Sequence, residues 1–587
     1  MRRWAWLAVL IFASGLNSLA FLSPQPPQSG EELQITDNEV GRYGGSLVVA
    51  QGAEPKTLNP VTAADARSRE VIGRMTADLI HINRDSQRTE PALAKSWTMS
   101  RDGRVFTLKL RHGLRFSDGQ PFNADDVVFS FQVYLDEKIH SPQRDLLIVG
   151  GKPLAVQKID SYTVRFTLAQ PYAAAERIFD SLAMMPRHLL EKPYREGRFE
   201  QVWSVNTPPA EMAGMGPFRL KQDIPGQRIV FERNPYFWKM DRSKNRLPYL
   251  DELVFLFVGN EDAQVMRFQA GDTDIMSRVN AENYALLSRD AQNRGYELFD
   301  LGPSLEYNFL LFNLNEVKAP TPARSAWFSE LKFRQAISSA IDRDAIVRLV
   351  YAGRAVPLWG NVSPSNKLWV DQSLPHPARS VDHARDLLKS AGFTWRGDGR
   401  LMDVQGRPVE FSIVVSSSNN QRGKIATIIQ DDLGKLGMDV HIVPLEFRAL
   451  LDRVFQTFDY DAAVMGLGGG DADPNPEMNV WLSSGSTHLW HLGETKPATD
   501  WEAQIDQLMQ KQMVELNYAR RKRLYDQVQQ IIAAHLPYVF LATPDILVGA
   551  RKNLANFKPA ILEPSTLWNV DQLYFRQGNG AATGAQR

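Results

Sequence analysis

Between Val464 and Pro474 the chain reads VMGLGGGDADP, a stretch that places bare backbone beside carboxylates. Glycine has no Cβ, so another chain can approach Gly468, Gly469 and Gly470 closely. An extended peptide laid there can exchange main-chain hydrogen bonds in the manner of an added strand. Asp471, or alternatively Asp473, then offers an oxygen to an α-ammonium, a charge-assisted bond that strengthens in a dry cleft. A glycine loop with no ligand is the plain alternative. The same residues open like an EF-hand calcium loop. That loop needs Gly and Glu where Pro476 and Leu482 stand, so calcium is excluded.

A ligand carboxylate would need a cation. Arg422 begins a helix expected over 422–436, just after the strand expected over 411–415. Open α/β sheets bind ligands at the carboxyl ends of their strands, which gives Arg422 a cleft-edge address. Lys424 is the second choice, and a solvated helix-end charge is the bland alternative. Trp359 and Trp395 are candidates to line side-chain pockets. His488 and His491 stand three apart without an adjoining carboxylate set, so no metal is expected there. Neither G-x-S-x-G, H-E-x-x-H nor a Walker loop occurs, and neither enzyme activity nor a cofactor is expected. The 67 basic and 67 acidic side chains cancel, which argues against nucleic acid as a partner.

These groups need a scaffold, and Trp97–Tyr134 shows its style. Asp102-Gly103 makes a turn, and Phe106, Leu108 and Leu110 alternate with polar residues as in a half-buried strand. Asp118-Gly119 turns again. Asn123 then caps a helix whose stripe is Val127, Val128, Phe131 and Leu135. Further along, strands are expected at 46–50, 164–168, 228–232, 253–258, 440–443, 538–542 and 569–575. Helices are expected at 69–79, from Asn260 to a Gly271 stop, over Phe333–Arg343 and, unbroken, over 501–535. The Met184-Met185 pair reads as core.

The same residues carry a resemblance. Ser100-x-Asp102-Gly103, Leu110-Arg111-x-Gly113, Phe116-Ser117-Asp118-Gly119-x-Pro121 and Ala124-x-Asp126-Val127 resemble the signature of the family 5 extracellular solute-binding proteins. These serve peptide- and nickel-type ABC importers. Gly214-x-Gly216-Pro217-Phe218 through Trp238, and Phe333 to Arg343, match it as well. The resemblance implies an α/β, two-lobed periplasmic binding protein (type II, cluster C-like) with an additional small domain inserted in the first lobe. It implies lobe I at 44–90, 206–307 and 546–576, the inserted domain at 91–205, and lobe II at 308–545.

It also implies roles. The loop Gly52–Pro60 resembles the family's first cleft-lining segment, which makes Glu54 a candidate; a Pro-rich turn is its alternative. Asn308 lies where the chain crosses into the last large domain. An Asp in a D-x-x-[DE]-P context pairs with the ligand amine in the family's peptide binders. Here Asp471-x-Asp473-Pro474 is one residue short, so Asp471 and Asp473 both stand. The expected function is capture of short peptides for an ABC permease and its ATPases at the inner membrane, by a monomer. The alternative is the same fold holding an oligosaccharide, an opine-like compound or a metal chelate.

The ends give an address. Arg2-Arg3, the apolar run Trp4–Phe12 and Ser18-Leu19-Ala20 read as a signal peptide over 1–20, with an uncleaved anchor as the alternative. A flexible leader over 21–43 follows, and 577–587 reads as a frayed tail. The chain contains no cysteine, so no disulfide and no lipidated cysteine are available, and release into a periplasm is expected.

Overall fold

The computed structural model describes residues 24–576 apart from 181, 316–321, 469, 470 and 495. The signal-like segment, the tail, Gly469 and Gly470 therefore lie outside the described residues. Among these residues one long mixed sheet runs through the molecule. Its strand order is Phe218–Ile224, Arg228–Arg233, Glu252–Phe257, Ser46–Gln51, Ile275–Met276, Tyr538–Arg551, Tyr307–Phe312, Ala462–Leu467, Glu410–Ser416 and Asp439–Leu445.

Tyr538–Arg551 joins the two halves. Its first residues pair with Tyr307–Phe312, in the register Leu310 to Val539. Its last residues pair with Tyr296–Pro303, in the register Leu298 to Gly549. Each half has its own apolar core. One is built around Leu47, Phe231, Leu253 and Phe255, the other around Phe309, Phe312, Ile413 and Ile429. Alternation explains the first: Leu47 and Val49 are buried along Ser46–Gln51 while their neighbours are half-exposed.

A separate four-stranded antiparallel sheet is formed by Ala94–Met99, Val105–Leu110, Thr163–Thr167 and Ala155–Asp160. The helix Ala124–Leu135 covers it, with the ring centroid of Phe131 4.8 Å from that of Phe166. Asn123 and Asp126 form a capping box at its start. This layer shares one contiguous core with the first half of the long sheet. Gly103 and Gly119 take positive φ at the two turns. Asn260 caps Glu261–Ala270, and Gly271 ends it at φ 91°. Met184 and Met185 are both buried.

Four expectations fail. The helix expected over Phe333–Arg343 ends at Ala340, because Asp342 caps a second helix, Arg343–Val350. The helix expected at 69–79 ends at Ile72. Gly214 and Gly216 press against the chain just beyond, where a Cβ on Gly214 would stand 1.9 Å from the Met75 carbonyl oxygen. The helix expected over 501–535 is two, Asp500–Val514 and Tyr518–His535, because Asn517 caps the second. The strand expected at 569–575 is a 3-10 turn, Val570–Gln572, followed by the two-residue strand Tyr574–Phe575. Asn569 has its amide on the Asn556 carbonyl, which closes a turn where apolar content alone suggested extension.

Candidate functional site

The groups singled out in the sequence gather where the two halves of the long sheet meet. Glu410–Ser416 leads through a polar turn into the helix Asn420–Gly434, capped by Asn419, which accepts from the Arg422 amide at 2.9 Å. Capping aims the Arg422 side chain back over the sheet. Its Nε donates to Asn308 Oδ1 and its Nη2 to Glu306 Oε1, each at 2.9 Å. Asn308 is buried, and its Nδ2 donates to the Ala542 carbonyl oxygen of the bridging strand at 3.3 Å. Tyr351 lies against the same group; burial first, then the Glu306 charge, push its phenol up.

Gly466 is registered directly opposite Asn308. A Cβ there would come within 2.2 Å of Arg422 Nη2 and 2.7 Å of Asn308 Oδ1. A side chain here would displace the Arg422 guanidinium and crowd the Asn308 amide. The strand Ala462–Leu467 pairs with Glu410–Ser416 only through Ala462 and Ala463 and runs on past that pairing toward Gly468 and Asp471.

The two aspartates part company. Asp471 lies on the seam between the halves and takes a two-point ion pair from Arg177, whose Nε donates at 2.6 Å. Arg177 belongs to the turn Ala175–Phe179 beside the small sheet. Burial opposes its charge, but Asp471 and then Asp473 outweigh that and raise its pKa. Asp473 is sealed inside the second half, where both its oxygens accept from Arg521, at 2.7 and 2.6 Å. Between them Ala472 packs with Ile82, Leu305 and Leu562, a small apolar cluster drawn from both halves.

The facing wall carries more charge. Arg278 pairs with Glu563, and the Glu563 and Glu306 charges both raise the arginine's pKa. Glu563, Arg278, Glu306 and Arg422 thus alternate in sign across the seam. Lys424 reaches across to Glu282 at 2.6 Å. Glu54 accepts from the Gly226 amide of the hairpin turn at 2.8 Å. Burial first, then this Glu54 charge, raise nearby Asp223 to about 6.

Trp359 stacks on His376 at 4.4 Å, and its buried indole N–H has no partner among the described residues. Trp395 donates to the Leu436 carbonyl oxygen at 2.7 Å, a structural bond. His488 and His491 are joined in space by Glu494, which follows His491 by three residues in the sequence, and by the more distant Glu502.

Asp471, Arg422, Asn308 and Gly468 are therefore placed along one seam. Asp473 is inside the second lobe, and Glu54 is on the hairpin of the first. Glu306, Arg278, Glu563 and Arg177 went unnoticed in the sequence. Only Glu306 left a signal there, a carboxylate set immediately before the apolar run Tyr307–Phe312.

Comparison with known proteins places this geometry. Residues 88–488 match the family described as bacterial extracellular solute-binding proteins, family 5 Middle. The chain is 28% identical over 571 residues to the probable ABC transporter-binding protein of Deinococcus radiodurans, covering 93% of this chain and 94% of that one. It is 26% identical to the oligopeptide-binding protein AppA of Bacillus subtilis, covering 88% and 89%. The solved structure of Bacillus subtilis AppA in complex with a nonapeptide superposes with a TM-score of 0.70 at 25% identity, covering 92% of this chain and all of that one. The fold is that of a two-lobed periplasmic binding protein. No helix among the described residues is long and apolar enough to cross a membrane.

Proposed function

The chain belongs to the bacterial extracellular solute-binding proteins of family 5, and on that premise we propose that it captures peptides for an ABC importer. The observation that carries this reading is the strand Ala462–Leu467. It leaves its neighbour, passes a glycine packed against Arg422 and Asn308, and leads to a carboxylate on the seam between two lobes. A peptide added along that edge receives main-chain hydrogen bonds whatever its side chains. Its ammonium meets Asp471, and the Arg422 guanidinium faces its carboxylate end. The relative that bears the name oligopeptide-binding supports the same ligand class.

Arg177 holds Asp471 from the opposite lobe, so an arriving ammonium acts on the group that latches the lobes. Ligand contacts shared by both lobes stabilise the closed state, and the closed form is what a permease would receive. The protein acts as an exported monomer, released by a cleaved signal peptide into the periplasm. The ligand leaves unchanged. Glu54, Asn308 and Trp359 complete the proposed wall, with Trp359 offering its free indole N–H to a ligand carbonyl. The proposed lobes change over near residues 308 and 546, and the proposed inserted domain spans 91–205.

Native mass spectrometry of the protein purified without refolding tests this. A ladder of co-purified short peptides is expected. Asp471→Asn is expected to weaken peptide binding by 1.5–3 kcal/mol, about 10- to 100-fold. Recovery of a sugar, an opine-like acid or a metal chelate in place of peptides would overturn the ligand class and leave the family assignment standing.

A further inference from the structure

Far from the seam, at the outer end of the second lobe, four side chains converge. The chain leaves Tyr307–Phe312, and the amide of Leu314 donates to the Trp490 carbonyl oxygen at 3.1 Å. This holds the turn Leu489–His491 against the sheet's end. Thr499 and Glu502 form the capping box of the helix Asp500–Val514, which brings the Glu502 carboxylate under that turn. His488 is fully buried and Glu502 nearly so, at 0% and 1% side-chain exposure.

The ring nitrogens are fixed by their outer partners. His488 Nδ1 lies 3.1 Å from the Val480 carbonyl oxygen, and a carbonyl only accepts, so Nδ1 carries the proton. Nε2 is then a bare lone pair, and it has no hydrogen-bond partner among the described residues. It points inward, 3.5 Å from Glu502 Oε1 and 4.0 Å from Glu494 Oε2. His491 differs: both its nitrogens have acceptors, and Glu502 Oε1, which it bonds, also accepts from the Trp490 indole N–H at 2.8 Å. Its Nε2 donates to the Leu314 carbonyl oxygen at 3.0 Å, and its Nδ1 faces Glu502 Oε1 at 2.7 Å and Glu494 Oε1 at 3.4 Å. Glu494 Oε2 is likewise buried without a partner. One donor atom from each of the four residues lies within 4.8 Å of the others.

An ion entering here displaces the proton between His491 Nδ1 and Glu502 Oε1, and two neutral imidazoles and two carboxylates then leave two negative charges in this space. Nearby Arg334 does not serve them directly, because its donors go to the Phe328, Ser329 and His535 carbonyl oxygens. Buried charge is ordinarily paired or bound to a metal. A dication closes the balance and gives both orphaned atoms a partner. Bonds of about 2.0–2.1 Å to a tetrahedral ion set its ligands about 3.4 Å apart, and the facing atoms here lie 2.7–4.0 Å apart, so the side chains must shift to close on an ion. Imidazoles whose second nitrogen donates to a backbone carbonyl are the usual orientation of metal-bound histidine.

We propose that His488, His491, Glu494 and Glu502 bind one zinc-class divalent cation as a structural site of the second lobe. Two nitrogens and two oxygens suit Zn(II), with Co(II) as a spectroscopic substitute. All four positions come from the protein, so the ion has a structural role: it pins the Leu489–His491 turn to the end of the sheet.

The test uses the full chain, stripped by chelator dialysis and titrated with zinc alone. One equivalent per chain is expected to survive desalting, with a rise in melting temperature that chelator reverses. Co(II) in the wild-type protein is expected to give the intense visible bands of a tetrahedral site. Glu494→Gln, the most exposed of the four, and His488→Gln are expected to weaken zinc binding at least about 100-fold, beyond the loss seen for outer-shell partners. Circular dichroism verifies their folding. Failure of the stripped wild type to take up zinc, or uptake equal in both variants, overturns the assignment. So would an unchanged melting temperature on zinc addition, since a proton on Glu494 would then be the balancing charge.

Discussion

Gly466 shows how one missing methyl group shapes the site. Arg422 and Asn308 occupy the space a side chain would fill, so their mutual bond and their aim toward the seam depend on glycine. Gly466→Ala is expected to push the guanidinium away and to cut ligand affinity about tenfold or more. Stability should fall by only about 1–2 kcal/mol, because the long Arg422 side chain can move aside. Calorimetric titration beside a urea melt separates the two effects, and equal affinity in the variant refutes the positioning role. Asp545 on the bridging strand is a second case. Burial first, then the neighbouring Asp300, raise its carboxyl to about 6 from an ordinary 3.8. The folded state holds that proton more tightly than the unfolded chain does. The resulting stability is full below the unfolded value and is lost as pH rises through about 6. Asp545→Asn should therefore melt higher than wild type near pH 7, with the gap closing toward pH 4. Scanning calorimetry across that range checks it, and a gap that ignores pH would exclude the Asp545 charge as the cause.

At the scale of elements, the short helix Ala66–Ile72 is set by its neighbour rather than by its own pattern. The backbone of Gly214 to Gly216 lies across residues 74–76, and the Gly216 amide donates to the Met75 carbonyl oxygen at 3.0 Å. Extending the helix would remove that acceptor. Gly214→Ala is expected to cost about 3 kcal/mol, since the clash is with backbone that cannot swing away. A lowered urea midpoint at unchanged slope is the expected readout. A midpoint within error of wild type would mean the two segments are free to separate.

Among the described residues two large apolar cores are joined by paired strands, and side-chain and backbone contacts also cross between them. Arg177 holds Asp471, Lys424 holds Glu282, and the Ala173 amide donates to the Met513 carbonyl oxygen at 2.7 Å. Arg177→Gln is expected to loosen the closed form. Small-angle scattering should show a larger radius of gyration for the ligand-free variant than for wild type, and peptide should bring the two together. Identical ligand-free radii would remove Arg177 from the latch. The sequence by itself determined the strands, caps and turns, because alternation, Asn caps and Asp-Gly turns act over a few residues: Asn123, Asn260 and Gly271 stand where it placed them. It also singled out Gly468 and Arg422 as site candidates. The fold separates Asp471 from Asp473, two residues apart yet paired with Arg177 and Arg521 from different parts of the chain. It alone ended the first helix at Ile72 and brought Glu502 to two histidines. Partners of a buried charge are chosen by packing across the fold, and no local pattern records that choice.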